Sequence, residues 1–227
     1  YSLYMKFAIV IPARKGSKSI RNKNLIKIKK KPLIQYTFDQ IKNINCLKFI
    51  LSDSKNIRNL AKKNSVNADY IRPNHTSLSN SSMSETIGHF AKWSHDKYKI
   101  DYLVILQPTS PLRSVEDIQD SIKLLKKNKF KSLFSISESL EHPYEAIDVL
   151  KGNKWKYVLS KSKKFYRRQD FDINSYFING AIYLVEKNYL IQNNKIISNN
   201  HGFYIMKKSR SLDINDEDDL LIAKGML

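Results

Sequence analysis

Short apolar runs alternate with helix-length amphipathic segments along most of this chain, and this alternation limits the fold more than any other feature. Short, β-branched apolar runs between polar loops are typical of buried strands. The strands predicted are Lys6–Pro12, Phe49–Asp53, Tyr70–Ile71, Asp101–Gln107, Ser132–Ser137 and Tyr176–Val185. Apolar residues at helical spacing predict helices over Pro32–Lys42, Lys55–Asn64, Glu85–His95, Ser114–Asn128 and Asp216–Gly225. Strands that alternate with helices indicate an α/β fold with a mainly parallel sheet flanked by helices.

The alternation breaks near Glu138. From there to Asp172 the chain is polar, aromatic and basic, and the strand–helix unit does not recur. A chain of 227 residues fits one sizeable α/β domain. We therefore interpret residues 5–227 as a single domain with an inserted excursion at about 138–172.

The chain carries a formal net charge of +19, which fits an anionic substrate, a nucleic acid or a membrane surface. The bias of an AT-rich genome, indicated by abundant Lys, Asn and Ile, is the favoured explanation for most of the excess positive charge. The charges are nevertheless segregated, because no Asp or Glu precedes Asp39 and acids crowd into Asp213–Asp219. Known nucleic-acid-binding signatures are absent from the sequence, and the apolar runs are too short to cross a bilayer. We expect neither nucleic acid nor a membrane as a partner.

The single cysteine, Cys46, leaves no partner for an intrachain disulfide. Pro12 and Arg14 interrupt the first apolar run, which is unlike a signal peptide. Both features favour a reducing, cytoplasmic location.

The loop Ile11–Asn24 (IPARKGSKSIRNKN) directly follows the first predicted strand. Ligands of open parallel sheets bind beyond the carboxyl ends of the strands. Backbone N–H groups around Gly16 can cradle phosphate oxygens while Arg14 and Lys23 neutralise their charge. A basic surface loop is an equally good interpretation of these residues alone.

A second loop, Leu106–Arg113 (LQPTSPLR), also follows a predicted strand. Gln107 offers an amide, and Arg113 can hold a carboxylate or phosphate with two hydrogen bonds. The alternative is a proline-ordered turn in which Ser114 caps the next helix.

Two later segments carry further polar groups. Adjacent arginines in Arg167–Asp170 and the break at Asn179–Gly180 suggest anion or sugar recognition, although a solvated charge pair and a plain turn explain them too. In Ser211–Leu220 (SLDINDEDDL), Asp213 and Asp216 offer oxygen ligands for Mg²⁺. Residues 215–218 are also good capping and first-turn residues for the last helix.

Five motifs follow one another along the chain: IPARKGSK…KN, KPLIQYTF, LQPTSPLR, RRQ…NGAIY and DIN–DxxDL. Taken in this order, they resemble the motifs of the CMP-sialic acid synthetase (acylneuraminate cytidylyltransferase) family, in its nonulosonic acid branch. The resemblance extends over about Lys6 to Leu220. This resemblance implies a nucleotide-diphospho-sugar transferase (GT-A-like) fold and Mg²⁺ as cofactor. It implies CTP and an acidic nonulosonic sugar (of the sialic, legionaminic or pseudaminic acid type) as substrates, and a homodimer formed through the excursion. An enzyme acting on KDO and a non-catalytic nucleotide- or nucleic-acid-binding homologue remain as alternatives.

The resemblance also implies roles for individual residues. It gives catalytic roles to Arg14, Lys23 and Asp213. It implies substrate contacts at Ser17, Asn24, Arg72, Ser82, Gln107, Thr109, Ser110, Arg168, Gln169 and Asn179. Asp213 matches the first metal carboxylate of the family, and Asn215 stands where the family has the second one. An amide oxygen can ligate Mg²⁺ but adds no negative charge.

Overall fold

The computed structural model describes residues 5–16, 19–78, 81–159 and 174–227. Its strands are β1 (Phe7–Pro12), β2 (Lys27–Ile28), β3 (Lys31–Pro32), β4 (Leu47–Leu51), β5 (Tyr102–Leu106), β6 (Ser132–Glu138), β7 (Ile147–Leu150), β8 (Lys154–Tyr157), β9 (Tyr176–Glu186) and β10 (His201–Ile205). Its helices are α1 (Leu33–Ile41), α2 (Lys55–Lys63), α3 (Met83–Trp93), α4 (Val115–Asn128), α5 (Lys187–Asn193) and α6 (Glu217–Met226).

A six-stranded sheet with the order β10-β6-β9-β5-β1-β4 forms the centre of the molecule. Strand β1 pairs in parallel with β4 and β5, and β10 pairs in parallel with β6. Strand β9 runs antiparallel to both of its neighbours, β5 and β6. Because β6 and β9 are antiparallel, their pairing does not require a crossover connection of the kind that joins parallel strands. The predicted mainly parallel sheet is confirmed, and among the described strands only β9 is reversed.

Helices cover both faces of this sheet because the residues of each buried strand alternate between them. In β1, Ile9 and Ile11 pack with α1, α2 and α4, whereas Ala8 and Val10 pack on the opposite face with α3 and α5. A smaller cluster joins Ile20 and Ile28 to Ile214 and Leu220. This cluster packs the basic N-terminal loop against the acidic segment before α6, and so brings together two regions separated by about the whole length of the chain.

Several sequence predictions differ from the observed elements. The strand predicted at Tyr70–Ile71 is wrong, since Ile71 forms only an isolated bridge to Ser52. Strand β10 and helix α5 were not predicted. The HGFYI sequence of β10 contains a histidine and a glycine, and its alternate residues are exposed at the sheet edge, so it lacks a buried apolar run.

The described part of the excursion forms a two-stranded antiparallel ribbon, β7 and β8, outside the main sheet. Residues Ile147 and Val149 lie on the same face as Trp155, and all three side chains are exposed. Residues 160–173 lie outside the described part of the chain. Among the described residues, no helix combines the length and the apolar character needed to span a bilayer.

Candidate active site

An open cavity of about 290 Å³ lies at the carboxyl ends of β1 and β5. It is formed by the loop after β1, the turn and helix start around Ser82, the loop after β5, and the acidic segment before α6. The lining residues are Pro12, Arg14, Gly16, Lys23, Asn24, Arg72, Ser81, Ser82, Met83, Thr86, Gln107, Pro108, Thr109, Asp213 and Asn215.

Most of the predicted site residues meet in this cavity. Those that line it are Arg14, Lys23, Asn24, Arg72, Ser82, Gln107, Thr109, Asp213 and Asn215. Ser110 and Asn179 are buried behind the lining. The predicted residues Ser17, Arg168 and Gln169 lie outside the described residues.

The basic wall of the cavity is held by hydrogen bonds within its own loop and to the neighbouring segments around Asp53 and Leu78. The Asn24 amide donates to the Arg14 carbonyl at 3.1 Å, and Arg14 Nη1 donates to the Leu78 carbonyl at 3.0 Å. The Lys15 N–H donates to the Asp53 carboxylate at 2.7 Å, which anchors the loop to the end of β4. Asn24 therefore orients the backbone that carries Arg14.

Lys23 ties the basic wall to the acidic wall. Its Nζ donates to the carbonyl oxygens of Ile214 at 2.8 Å and Asn215 at 2.9 Å. Burial lowers the pKa of Lys23, while the nearby carboxylates of Asp213, Asp219 and Asp216 oppose that shift. An ammonium group has three N–H donors. Two serve these carbonyls, so one remains for a bound anion.

Asp213 is the carboxylate best suited to a cation. Its Oδ1 is buried and has no hydrogen-bond partner among the described residues, and its Oδ2 accepts only from the Asn215 amide at 3.3 Å. Asp216 is used differently, because its side chain accepts from the Asp219 N–H at 3.0 Å and caps α6. The capping interpretation is therefore confirmed for Asp216.

The carboxylate oxygens of Asp213 and the side-chain amide oxygen of Asn215 are the kinds of ligand that Mg²⁺ prefers. Within residues 5–16, 19–78, 81–159 and 174–227, no group of three or more His, Cys, Asp or Glu side chains is arranged to hold a metal. A cation at Asp213 would need further oxygen ligands from substrate phosphates and water, the usual coordination of Mg²⁺ in nucleotide sites.

Arg72 and Ser82 form a third wall. Arg72 is buried and donates from Nε to the Thr76 carbonyl at 3.1 Å and from Nη2 to the Thr86 hydroxyl at 2.9 Å. Burial also lowers the pKa of Arg72. Ser82 caps α3, and its Oγ accepts from the Glu85 N–H at 3.1 Å. Since a hydroxyl both donates and accepts, the Ser82 O–H stays available for a ligand.

The floor of the cavity lies where the end of β5 meets Gly180, in the middle of β9. Gly180 adopts a φ of +73°, and a Cβ added there would lie 3.2 Å from Gln107 Nε2 and 3.9 Å from Asp213 Oδ2. Glycine at this position therefore lets the Gln107 amide approach the β9 backbone closely. The Thr109 carbonyl accepts from the Ile214 N–H at 2.8 Å, which joins the floor to the acidic wall.

Asn179 and Arg113 make structural contacts instead. The Asn179 amide accepts from the Ser135 hydroxyl at 2.6 Å and donates to the Ser211 hydroxyl at 3.0 Å. The prediction that Arg113 holds a ligand anion is wrong. Its side chain is 1% exposed and bonds backbone and side-chain oxygens of the protein.

Sequence reasoning missed a second cavity beside the first. It has a volume of about 330 Å³, shares Met83 with the first cavity, and is lined by Met83, Ser84, Tyr183, Lys195, Ile196 and Ile197. Burial and the charge of Asp213 raise the pKa of Tyr183. Tyr183 ends the NGAIY motif that begins with Asn179–Gly180, so its place in that motif was the sequence signal that could have identified it as a site residue. Lys195 and the isoleucines follow α5, an element that the apolar pattern did not reveal.

Comparison with solved structures defines the fold. Its fold is similar to that of a CMP-2-keto-3-deoxy-manno-octonic acid synthetase complexed with CTP, with a TM-score of 0.72, 15% identity, and coverage of 97% of this chain and 98% of that one. A 4-diphosphocytidyl-2C-methyl-D-erythritol synthase from Anaerococcus prevotii has a TM-score of 0.64 at 11% identity, with 97% and 95% coverage. The chain thus has the nucleotidyltransferase fold of these enzymes.

The family model described as cytidylyltransferase matches residues 8–212, so the chain belongs to the cytidylyltransferase family. It is 30% identical to post-translational flagellin modification protein B of Campylobacter coli, over 96% of this chain and 93% of that protein. It is 29% identical to an N-acylneuraminate cytidylyltransferase of Escherichia coli, over 96% of this chain and 51% of the relative, so it spans about half the length of that relative. It is 26% identical to a pseudaminic acid cytidylyltransferase of Campylobacter jejuni, over 97% of this chain and 95% of that protein.

Proposed function

We propose that this protein is a CTP-dependent cytidylyltransferase that joins CMP to an acidic nonulosonic sugar of the sialic, legionaminic or pseudaminic acid type and releases pyrophosphate. The observation that carries the proposal is the convergence in one cavity of Arg14 and Lys23 with Asp213, whose buried Oδ1 has no hydrogen-bond partner among the described residues. Such a cavity combines cations for a triphosphate with an oxygen ligand for a divalent cation.

The names of the relatives support the sugar class. They include N-acylneuraminate and pseudaminic acid cytidylyltransferases and a CMP-N,N'-diacetyllegionaminic acid synthase of Legionella pneumophila. The second cavity, lined by Met83, Tyr183, Lys195 and the two isoleucines, gives space for an acylated sugar beside the nucleotide.

The reaction is an in-line displacement at the α-phosphorus of CTP. The anomeric hydroxyl oxygen of the sugar forms the new P–O bond, its proton passes to solvent water, and the bond from the α-phosphorus to the oxygen shared with the β-phosphate breaks, which releases pyrophosphate. Arg14 and the remaining N–H of Lys23 neutralise the charge of the departing pyrophosphate. Gln107 and Thr109 hold the sugar beside this phosphorus, which makes the reaction effectively unimolecular.

Asp213 and Asn215 are the residues that would hold Mg²⁺. When bound, the cation supplies Lewis-acid neutralisation of the phosphate oxygens. The resemblance implies substrate contacts at Arg72 and Ser82, and we propose that this wall of the cavity holds the cytosine. We propose further substrate contacts at Ser110 and Asn179. We also propose them at Ser17, Arg168 and Gln169, which lie outside the described residues.

Measurement of pyrophosphate release tests the proposal. The protein is incubated with CTP, Mg²⁺ and, in separate reactions, N-acetylneuraminic, legionaminic, pseudaminic acid or KDO. We expect release with at least one nonulosonic acid and little with KDO. Release with KDO alone would select the KDO alternative, and release with ATP or GTP in place of CTP would contradict the cytidine assignment. CTP binding without release from any sugar would indicate the non-catalytic alternative.

A second copy of this chain is the partner that we propose for the excursion at about 138–172. The exposed face of the β7–β8 ribbon carries Ile147, Val149 and Trp155, with Val149 79% exposed. A lone two-stranded ribbon is marginally stable in water, so an apolar face of this kind needs a cover. We also propose a cytoplasmic location, supported by the single cysteine and by the need for CTP.

A further inference from the structure

Arg113 is a buried cation that the proposed reaction does not use. It is 1% exposed and is among the largest fully buried side chains of the described residues. Burial lowers its pKa to about 9, and the charge of Asp117 opposes that shift, so the guanidinium stays charged at neutral pH. The Asp117 carboxylate itself is bonded by Arg210 and by the Ser114 N–H. The hydrogen bonds of Arg113 therefore go to neutral oxygens.

Those hydrogen bonds join three elements. Arg113 Nη1 donates to the Ala181 carbonyl at 2.7 Å and to the Gln107 carbonyl at 3.2 Å. Arg113 Nη2 donates to Gln40 Oε1 at 2.9 Å and to the Thr37 hydroxyl at 3.3 Å. Gln40 Nε2 in turn donates to the Pro111 carbonyl at 2.8 Å. The network fixes the loop after β5 to the bend in β9 and to α1.

The two carbonyls bonded by Nη1 belong to the floor of the cavity. Gln107 lines it, and Ala181 follows Gly180, which lies against the Gln107 amide. A buried charge with neutral acceptors is costly compared with an apolar side chain of similar volume. Stability alone is therefore a poor explanation for an arginine here, whereas a fixed geometry of the floor is a good one.

We propose that Arg113 is a positioning residue for the sugar side of the site: it holds the Gln107 and Ala181 backbones so that the Gln107 amide points at the bound sugar. This inference rests on the proposed function. Arg113 acts through Gln107 and touches neither substrate. Lysine cannot replace it, because one ammonium group does not reproduce the planar fork that reaches both carbonyls and Gln40.

A double-mutant cycle tests this role, with Arg113→Lys, Gln107→Ala and the double variant. We expect Arg113→Lys to raise KM for the sugar and lower kcat, with kcat/KM down about 10- to 100-fold, because small misplacements of a positioning group have effects of this size. KM for CTP should change less than about twofold. In the Gln107→Ala background, Arg113→Lys should lower kcat/KM less than about threefold.

Leu125→Ala is the matched control for loss of stability. Leu125 is fully buried on α4, the same helix that follows Arg113, and belongs to the apolar core. This variant should lower the melting temperature while kcat/KM stays near the wild-type value. An equal drop caused by Arg113→Lys in both backgrounds would overturn the positioning role, since it would mean that Arg113 acts independently of Gln107.

Amide hydrogen exchange separates this inference from the proposed function. Arg113→Lys should speed exchange at residues 106–112 and 179–182 relative to Leu125→Ala, and no difference there would overturn the inference. Failure of the wild type to release pyrophosphate would count against the proposed function only. If Arg113→Lys does not fold, Gln40→Leu takes its place, with a smaller change in the same direction expected and no change contradicting the role.

Discussion

The acidic segment before α6 contains three residues with different roles: Asp213, Asn215 and Asp216. Asp213 has a buried oxygen without a hydrogen-bond partner among the described residues, Asn215 donates from its amide to Asp213, and Asp216 caps α6. Because Asn215 adds no charge, Asn215→Asp should lower the Mg²⁺ concentration that gives half-maximal rate. Asp213→Asn should reduce turnover by about 100-fold or more. Titration of Mg²⁺ against initial rate measures both effects.

Asp216→Ala is the control for that prediction. It removes the cap of α6 and should lower the free energy of unfolding by about 1 kcal/mol while leaving the Mg²⁺ dependence unchanged. If all three variants keep the wild-type Mg²⁺ dependence, the metal role of Asp213 is contradicted and only the helix cap remains.

Gly180 and Gly152 share a backbone conformation but differ in what surrounds them. Their φ angles are +73° and +75°, yet an added Cβ meets Gln107 Nε2 at 3.2 Å in the first case and nothing within 4 Å in the second. Both alanine variants should lose about 1–2 kcal/mol of stability through backbone strain. Only Gly180→Ala should also lower kcat/KM for the sugar, by displacing Gln107. Equal activity of the two variants would show that Gln107 does not contact the sugar.

At the scale of elements, α3 and α4 begin with the same capping motif in different surroundings. Ser82 and Ser114 each cap a helix in a reciprocal box, with Glu85 and Asp117 as their partners. Ser82→Ala and Ser114→Ala should each lower the free energy of unfolding by about 1 kcal/mol in urea denaturation. Ser82 also lines the cavity, so its variant alone should weaken CTP binding, by roughly five- to tenfold for one neutral hydrogen bond. Equal CTP dissociation constants would leave Ser82 with a capping role only.

At the scale of the whole molecule, the apolar face of the β7–β8 ribbon predicts self-association. In light scattering after size exclusion, the protein should elute at twice the 26.5 kDa mass of the chain. Val149→Glu puts a charge on that face and should give the monomer, because burying an unpaired carboxylate is costly. Lys154→Glu alters the opposite face of the same ribbon and should leave the dimer intact. A monomeric wild type would contradict the proposal.

The local chemistry of the sequence determined most of the fold and much of the site. Apolar runs identified β1, β4, β5, β6 and β9, since a buried strand needs such a run, and the loops after β1 and β5 were recognised because ligands bind at that edge. The motifs also brought Arg14, Lys23 and Asp213 into one hypothesis.

Only the tertiary structure decided what depends on contacts between distant residues. Arginine is usually an exposed residue. Arg113 can be buried because oxygen atoms of α1 and β9 accept its hydrogen bonds. The sequence did not decide which of Asp213 and Asp216 caps α6 and which is left for a metal ion. In the structure the α6 backbone donates to Asp216, and Asp213 keeps a buried oxygen without a partner among the described residues. The edge strand β10 has apolar Phe203 and Ile205 on its exposed side and Gly202 on its buried side, so its sequence does not follow the usual pattern of apolar buried residues and polar exposed ones. Long-range packing and hydrogen bonding set these outcomes, and neither leaves a periodic signal in the sequence.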